Sequence, residues 1–463
     1  MSNYKKLLRW ISYPLAILMA LVILYGFGRL IHVSMGSLYH GERAPYLQLA
    51  TPTSLLIRWQ TEQREIGLLR YGLDSEHLDM QQSEATASES HAIRLQHLKP
   101  ATRYYYTVGS KDKVFKGGMD YWFVTPPLPG TVTSARFWVL GDPGLENSQQ
   151  AKVRDAALQW LEKNPRRNKS GHNKPYLDLV FTTGDNAYQS GKNEEFQTNF
   201  FQPYEAVLRN VPVWPIYGNH DARRWAFFDI FNFPEHAEVG GVASRTEHYY
   251  SFDYANIHFI VLDSLESDRR QHGPMAKWLR KDLAAQQQDW LIVLFHHPPY
   301  SKGSHDSDNP RDSHGKMMEM RENILPILEQ AGVDLVLSGH SHMYERSYLM
   351  DCHYETSEQL QPEMILSQHK QQYQKRHAKP APHQGTIYTV LGSSARVDYG
   401  PLDHPAMAVS MLEVGSMVVD INGPQLEARF INGDGQIADT FSLRKGVEQA
   451  PVGSCSRESG VGP

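Results

Sequence analysis

Five times along the chain a short apolar run ends in side chains able to bind a metal ion, and this repetition limits the fold more than any other feature. "RFWVLGD" (136–142) ends in Asp142, and "LDLVFTTGD" (177–185) ends in Asp185, with Tyr188 three residues on. "VPVWPIYGNHD" (211–221) carries Asn219, His220 and Asp221. "DWLIVLFHHPP" (289–299) carries His296 and His297, and "VDLVLSGHSH" (333–342) carries His340 and His342. Short apolar runs of this kind predict buried strands. Between them, 148–164, 275–288 and 319–332 have helical spacing, with Pro326 expected to kink or shorten the last helix. The alternation predicts a layered α/β domain over 134–442, with helices covering a central sheet. Sites in such sheets gather outside the carboxyl ends of strands, where all five polar sets fall. A lone Gly-Asp or His-x-His is ordinarily a turn or a surface pair; five sets in one domain imply a site. Carboxylate, imidazole and amide together suit iron, manganese or zinc.

Ahead of this domain, residues 44–127 read as all-β. "SLLIRWQT" (54–61), "TRYYYTVG" (102–109) and "YWFVTPP" (121–127) are strand-like with turn residues between them. Tyr104 stands where a β-sandwich often has its tyrosine corner. A fibronectin-like sandwich is expected, acting as a packing platform in preference to a ligand-binding module. "PPLPGTVTS" (126–134) links the two domains. Late strands are expected in 385–394 and 416–431. Residues 352–384 read as a polar insertion, whose Lys370, Lys375, Arg376 and Lys379 are expected to be solvated or, less simply, to shape a pocket rim. The stretch 446–463 lacks periodicity and is expected to be disordered.

A net charge of −5 without a basic stripe excludes nucleic acid as a main partner. Two cysteines, Cys352 and Cys455, exclude a disulfide-dense scaffold and a cysteine-rich zinc site; they pair in an oxidising compartment, or neither matters. At the N-terminus Lys5, Lys6 and Arg9 precede an uncharged stretch from Tyr13 to Gly28. Residues 1–31 are therefore expected to be a membrane anchor with the remainder outside, or else a cleaved signal peptide. Asn168-Lys169-Ser170 is a glycosylation acceptor only in a eukaryotic exterior.

The five segments resemble the metallophosphoesterase superfamily, and Tyr188 narrows the resemblance to purple acid phosphatases of the plant-type, two-domain form. It covers roughly residues 44–440. It implies an α/β metallophosphoesterase sandwich, mixed sheets flanked by helices, preceded by a fibronectin III-like domain; the N-terminal apolar run adds an expected membrane-spanning helix. It also implies two metal sites. Asp142, Asp185, Tyr188 and His342 would hold Fe(III); Asp185, Asn219, His296 and His340 would hold a divalent Fe, Zn or Mn, so that Asp185 bridges. Metals about 3.5–4 Å apart hold the attacking and leaving oxygens of phosphoryl transfer in line, and activate water near neutral pH. The implied activity is an acid phosphatase that hydrolyses small phosphate monoesters by attack of a metal-bound hydroxide. His220 would reach the phosphate or leaving oxygen. His305, in "YSKGSHDS" on a loop expected to be mobile, falls where the family often has substrate-contacting histidines. Asp221 would orient His220, and His297 would be structural. A phosphodiesterase or pyrophosphatase on the same metals is the enzymatic alternative. A membrane-tethered binding protein with a decayed catalytic domain is the non-enzymatic one.

Overall fold

The computed structural model describes residues 18–28, 30, 38–166, 176–223, 225–453 and 455. The expected glycosylation site at Asn168 lies outside them, as do residues 1–17, 29 and 31 of the expected anchor. Among the described residues no helix is long and apolar enough to cross a membrane.

Two seven-stranded sheets form the larger domain. The first runs, edge to edge, Val213–Trp214, Leu179–Thr182, Ala135–Leu140, Gly415–Asn422, Gln425–Asn432, Ile437–Lys445 and Gln372–Lys375. The second runs Tyr250–Tyr254, Ile257–Val261, Trp290–Leu294, Leu335–Ser338, Ile387–Val390, Tyr344–Ser347 and Met407–Met411. In each, the strands carrying the polar motifs are parallel neighbours, so their carboxyl ends lie at one edge of the sandwich. Alternating side chains serve two interfaces. Phe137 packs on Phe259 of the facing sheet at 5.4 Å between ring centres, while its neighbour Trp138 meets Tyr204 of the helical layer at 5.9 Å. With both faces buried the strands contain almost nothing but apolar residues. Each such large side chain removed from water contributes roughly 1.5–3 kcal/mol.

Helices cover the outer faces. Ser148–Lys163 is capped by Asn147, whose side-chain oxygen accepts from Gln150 N at 2.8 Å. Pro274–Ala285 places Leu279 and Leu283 against the second sheet. The helix expected over 319–332 is interrupted by a π-helical turn at Met320–Ile324, and Pro326 begins the next segment, Leu325–Ala331, in the first turn, where its missing N–H costs nothing.

The N-terminal domain packs a three-stranded sheet against a second sheet around Leu47, Ile57, Trp59, Leu69 and Phe123. The Tyr104 hydroxyl accepts from Lys99 N at 2.9 Å, the back-reaching bond of a tyrosine corner. This domain docks on the other by apolar and polar contacts: Tyr46, Leu49 and Leu56 join the larger domain's core, Tyr46 and Arg58 both donate to Ile230 O at 2.6 Å, and Tyr106 donates to Arg209 O at 2.6 Å.

Two expectations are corrected. Lys375 is neither solvated nor at a pocket rim. It is buried, with Nζ 2.8 Å from Asp334, and its strand extends the first sheet alongside Ile437–Lys445. A polar composition concealed this strand because its core contribution is one tyrosine and one ion-paired lysine. The tail is likewise held as far as it is described. Val447 N bonds Lys375 O, Gly453 N bonds His383 O, and Cys455 forms a disulfide with Cys352. Backbone bonds and a covalent link need no hydrophobic period. Residues 454 and 456–463 lie outside the described residues.

One buried triad gives the fold a pH signature. His258 bonds Asp253 at 2.7 Å and Asp282 at 2.8 Å between the sheet and helix Pro274–Ala285. Burial alone would lower its pKa, but the two carboxylates outweigh this and push it up to about 9. A raised folded pKa means that the stabilisation is fully present below the unfolded value of 6.5 and is lost as pH rises through about 9. His258→Gln is therefore expected to cost about 3 kcal/mol at pH 6, and distinctly less above pH 9, in denaturant titrations.

Candidate metal centre

All five strand ends converge. Asp142 follows Ala135–Leu140, and Asp185 and Tyr188 follow Leu179–Thr182. Asn219 and His220 follow Val213–Trp214; His296 follows Trp290–Leu294; His340 and His342 follow Leu335–Ser338. Three of these residues hold left-handed backbone: Asp142 at φ 50°, Asp185 at 51° and His340 at 67°. Such conformations are uncommon outside glycine and gather at functional sites. The turns also need their glycines. A Cβ on Gly339 would strike the Asp142 carboxylate, and one on Gly218 would strike that of Asp185.

Two donor sets lie side by side. Oxygen and nitrogen atoms of Asp142, Asp185 and His342 all fall within 4.8 Å of one another. The Tyr188 hydroxyl sits among them, 2.9 Å from Asp185 Oδ2 and 2.9 Å from His342 Nε2. On the other side, His296 Nε2 and His340 Nδ1 approach Asn219 Oδ1 at 2.9 and 3.0 Å. Asp185 belongs to both sets, since its Oδ1 lies 3.6 Å from His296 Nε2.

Hydrogen bonds behind the donors fix which ring nitrogens face inward. His296 Nδ1 donates to Thr183 O at 2.7 Å, leaving Nε2 with a free lone pair. His342 Nδ1 meets Asp398 Oδ2 at 2.6 Å, which turns Nε2 towards Tyr188 and Asp142. His340 Nε2 bonds Ser313 Oγ at 2.6 Å, leaving Nδ1 for the centre.

The electrostatics suit cation binding. Burial raises the Asp185 pKa, but His296 and His220, with bonds from His220 N and Tyr188, overcome this and hold the carboxyl below its ordinary range. Burial, reinforced by Asp185 and Asp142, raises the Tyr188 phenol well above its usual value, so that without a cation it stays protonated. His340 is held neutral by burial and by the surrounding histidines. For His342, burial is outweighed by Asp142 and Asp398, which raise its pKa; with the buried carboxylates, and a phenol that ionises only beside a strong positive charge, these imidazoles form a donor set that fits one hard and one borderline cation.

The remaining predicted residues divide. His220 is at the rim: Nδ1 bonds Gln189 O at 2.8 Å, and Nε2 lies 4.0 Å from Asp185 Oδ2. Its pKa is lowered by burial, against the pull of Asp185. His305 stacks on His340 at 4.0 Å and bonds Asp312 Oδ1 at 2.8 Å. Its loop is tied down and not loose, with Asp306 N bound to Asp312 and Ser307 N to Ser301 O. His297 is buried against Ser264 Oγ at 2.9 Å. Asp221 is corrected: its carboxylate makes no bond to the His220 ring. It accepts from Asn186 N, Asn186 Nδ2 and Gly218 N at 2.8–3.0 Å and so ties the two ligand loops together. A fully buried carboxylate needs these donors more than a half-buried imidazole at the rim needs an orienting partner.

Sequence reasoning missed Arg396, Asp398, Asp312 and Ser313. The first two follow strand Ile387–Val390, the parallel neighbour of Leu335–Ser338, and the strand-end rule would have found them had it been applied to this late strand. Asp312 and Ser313 sit in an irregular turn with no comparable signal.

Residues 135–344 match the family model of calcineurin-like phosphoesterases, and residues 43–125 match that of the purple acid phosphatase N-terminal domain. Purple acid phosphatase 21 of Arabidopsis thaliana is 27% identical over 267 residues, 55% of this chain and 53% of the relative. A purple acid phosphatase of Glycine max is 29% identical over 269 residues, 56% and 52%. The chain thus spans about half the length of these curated relatives. A purple acid phosphatase from yellow lupin seeds shares the fold with a TM-score of 0.67 at 18% identity, over 89% of this chain and 78% of the lupin chain.

Proposed function

Because the chain belongs to the purple acid phosphatase family, we propose that it is an acid phosphatase hydrolysing phosphate monoesters at a dinuclear metal centre. The observation that carries this is the sharing of Asp185 between two donor sets of different chemistry. In this reading Asp142, Asp185, Tyr188 and His342 hold Fe(III), while Asp185, Asn219, His296 and His340 hold divalent Fe, Zn or Mn. When bound, the metals would polarise the phosphoryl oxygens and lower the pKa of water. The chain's own residues do the rest. Thr183, Asp398 and Ser313 keep the three ligand imidazoles in the required tautomers. His220, anchored through Nδ1, presents Nε2 to the leaving oxygen and supplies its proton. His305, oriented by Asp312, stands over His340 at the mouth and contacts the substrate. That every donor position is filled speaks against a decayed, purely binding domain.

We assign the catalytic domain to an extracytoplasmic compartment. The Cys352–Cys455 disulfide supports this, since such bonds persist in oxidising surroundings. The basic residues ahead of the N-terminal apolar run support an anchor or signal segment there. The catalytic reading is tested by steady-state hydrolysis of an aryl phosphate monoester and the matching diester. A kcat/KM favouring the monoester, abolished by chelation, is expected; preference for the diester would transfer the site to a phosphodiesterase.

A further inference from the structure

A second cluster of metal-ligating side chains lies away from the strand-end centre, where the C-terminal tail returns to the larger domain. Asp351 follows strand Leu349–Met350, with Cys352 beside it; His383 precedes strand Ile387–Val390; the tail supplies Cys455. The carboxyl end of Ile387–Val390 leads to Asp398 behind His342, so this cluster sits at the opposite end of the sheet. His383 Nδ1 is 3.2 Å from both oxygens of Asp351, 3.4 Å from Cys455 Sγ and 3.9 Å from Cys352 Sγ. One donor atom from each of the four residues falls within 4.8 Å of all the others. The ring is fixed from behind, since Nε2 bonds Gln330 Oε1 at 3.0 Å. The surroundings favour a cation. Asp351 draws a proton onto His383, raising its pKa against burial. Burial and Asp351 together push Glu329, which accepts from Cys352 N at 2.7 Å, up to about 8. A Cβ on Gly453 would strike the Asp351 carboxylate, so glycine lets the tail lie this close.

We propose that Asp351, Cys352, His383 and Cys455 form a redox-gated zinc site, which replaces the disulfide when the two sulfurs are reduced. It stands independently of the phosphatase reading. Ligand atoms of a tetrahedral zinc, at bond lengths of about 2.0–2.3 Å, stand about 3.3–3.8 Å apart. The separations of His383 Nδ1 from oxygen and sulfur already match this spacing closely, so only the two sulfurs must move apart. Two thiolates, an imidazole and a carboxylate are donors that zinc takes in tetrahedral sites. The reductant is a dithiol. Its two sulfurs join to each other, its two electrons break the Cys352–Cys455 bond, and its two protons leave thiols in place of that bond. Zn2+ then displaces both thiol protons and the proton on His383 Nδ1, which pass to solvent. It bonds Cys352 Sγ, Cys455 Sγ, His383 Nδ1 and one Asp351 oxygen. The tail is thereby clasped in both states, by a covalent bond in one and by the metal in the other. The oxidised protein binds metal at the strand-end centre alone.

Cobalt(II) is the probe, because a thiolate bound to it gives a charge-transfer band in the near ultraviolet. Cys352 and Cys455 are the chain's two cysteines, so cobalt at the strand-end centre gives no such band. The full chain is reduced with a dithiol, freed of it without oxygen and titrated with Co2+. The reduced wild type is expected to develop the band, up to one thiolate-bound cobalt per chain. Added Zn2+ should abolish it, since zinc binds the same donors more tightly, and should protect both thiols from alkylation. The oxidised protein should show no band. His383→Ala and Asp351→Asn are each expected to weaken cobalt binding by about tenfold or more, and replacing both cysteines by serine should remove the band. No band in the reduced wild type would overturn the proposal, whether or not the tail stays seated. Unchanged affinity in either single variant would overturn it too, since the metal would then be held without the full set. The band does not depend on turnover, so its outcome is separate from that of the phosphatase reading.

Discussion

Asp185→Asn is expected to abolish turnover and to leave the protein short of at least one metal ion. The carboxylate is buried and lies in both donor sets, with one oxygen bonded by Tyr188 and the other by His220 N. An amide keeps the shape but loses the charge, and its NH2 turns donor hydrogens towards a cation. Losing a bridging anion removes several kcal/mol of transition-state stabilisation, about 10³-fold or more in rate. Metal content and kcat measured on the same sample check this. Full activity with both metals retained would remove the bridging assignment. The fold should persist, because the surrounding strands are packed by apolar residues on both faces.

His220→Ala should behave differently: both metals stay and kcat falls by about 10²–10⁴-fold. The ring is hydrogen-bonded to a backbone carbonyl and only packs beside Tyr188 and Asp185, at 4.3 and 4.0 Å, so its removal leaves the ligands in place. If it supplies the leaving group's proton, the defect should be largest for alkyl phosphates and smallest for nitrophenyl phosphate, whose leaving group needs no proton. A defect of the same size across leaving groups would limit His220 to charge stabilisation. Loss of metal from this variant would place it among the ligands.

Much of this site was legible in the sequence because its donors obey a local rule. Each follows a short apolar run, and a run of that kind is a strand whose end is set by topology. Asp142, Asp185, Asn219, His296, His340 and His342 could all be named before their distances were known. The rule fails where position depends on tertiary contact. Nothing near Asp221 tells that its carboxylate faces Asn186 and Gly218 and not His220. Lys375 reads as a surface lysine because its partner Asp334 is 41 residues away (375 minus 334) on a neighbouring element. The same limit left the Cys352–Cys455 bond as one of two alternatives, since it joins residues 103 apart across a polar stretch. In the β domain, the Tyr104 corner was legible because its bond reaches back only five residues.

The central claim is that two different cations share Asp185, one of them iron bound by Tyr188. Metal analysis combined with the visible spectrum of the oxidised protein tests it most directly, in the wild type and in Tyr188→Phe. A phenolate on Fe(III) donates charge into the metal's empty orbitals and colours the protein, whereas zinc or calcium in that place gives no band. The account predicts two metal ions per chain, one of them iron, a violet to pink wild type, and a folded Tyr188→Phe variant that has lost the colour. A colourless wild type, or a variant that keeps its band, would contradict it.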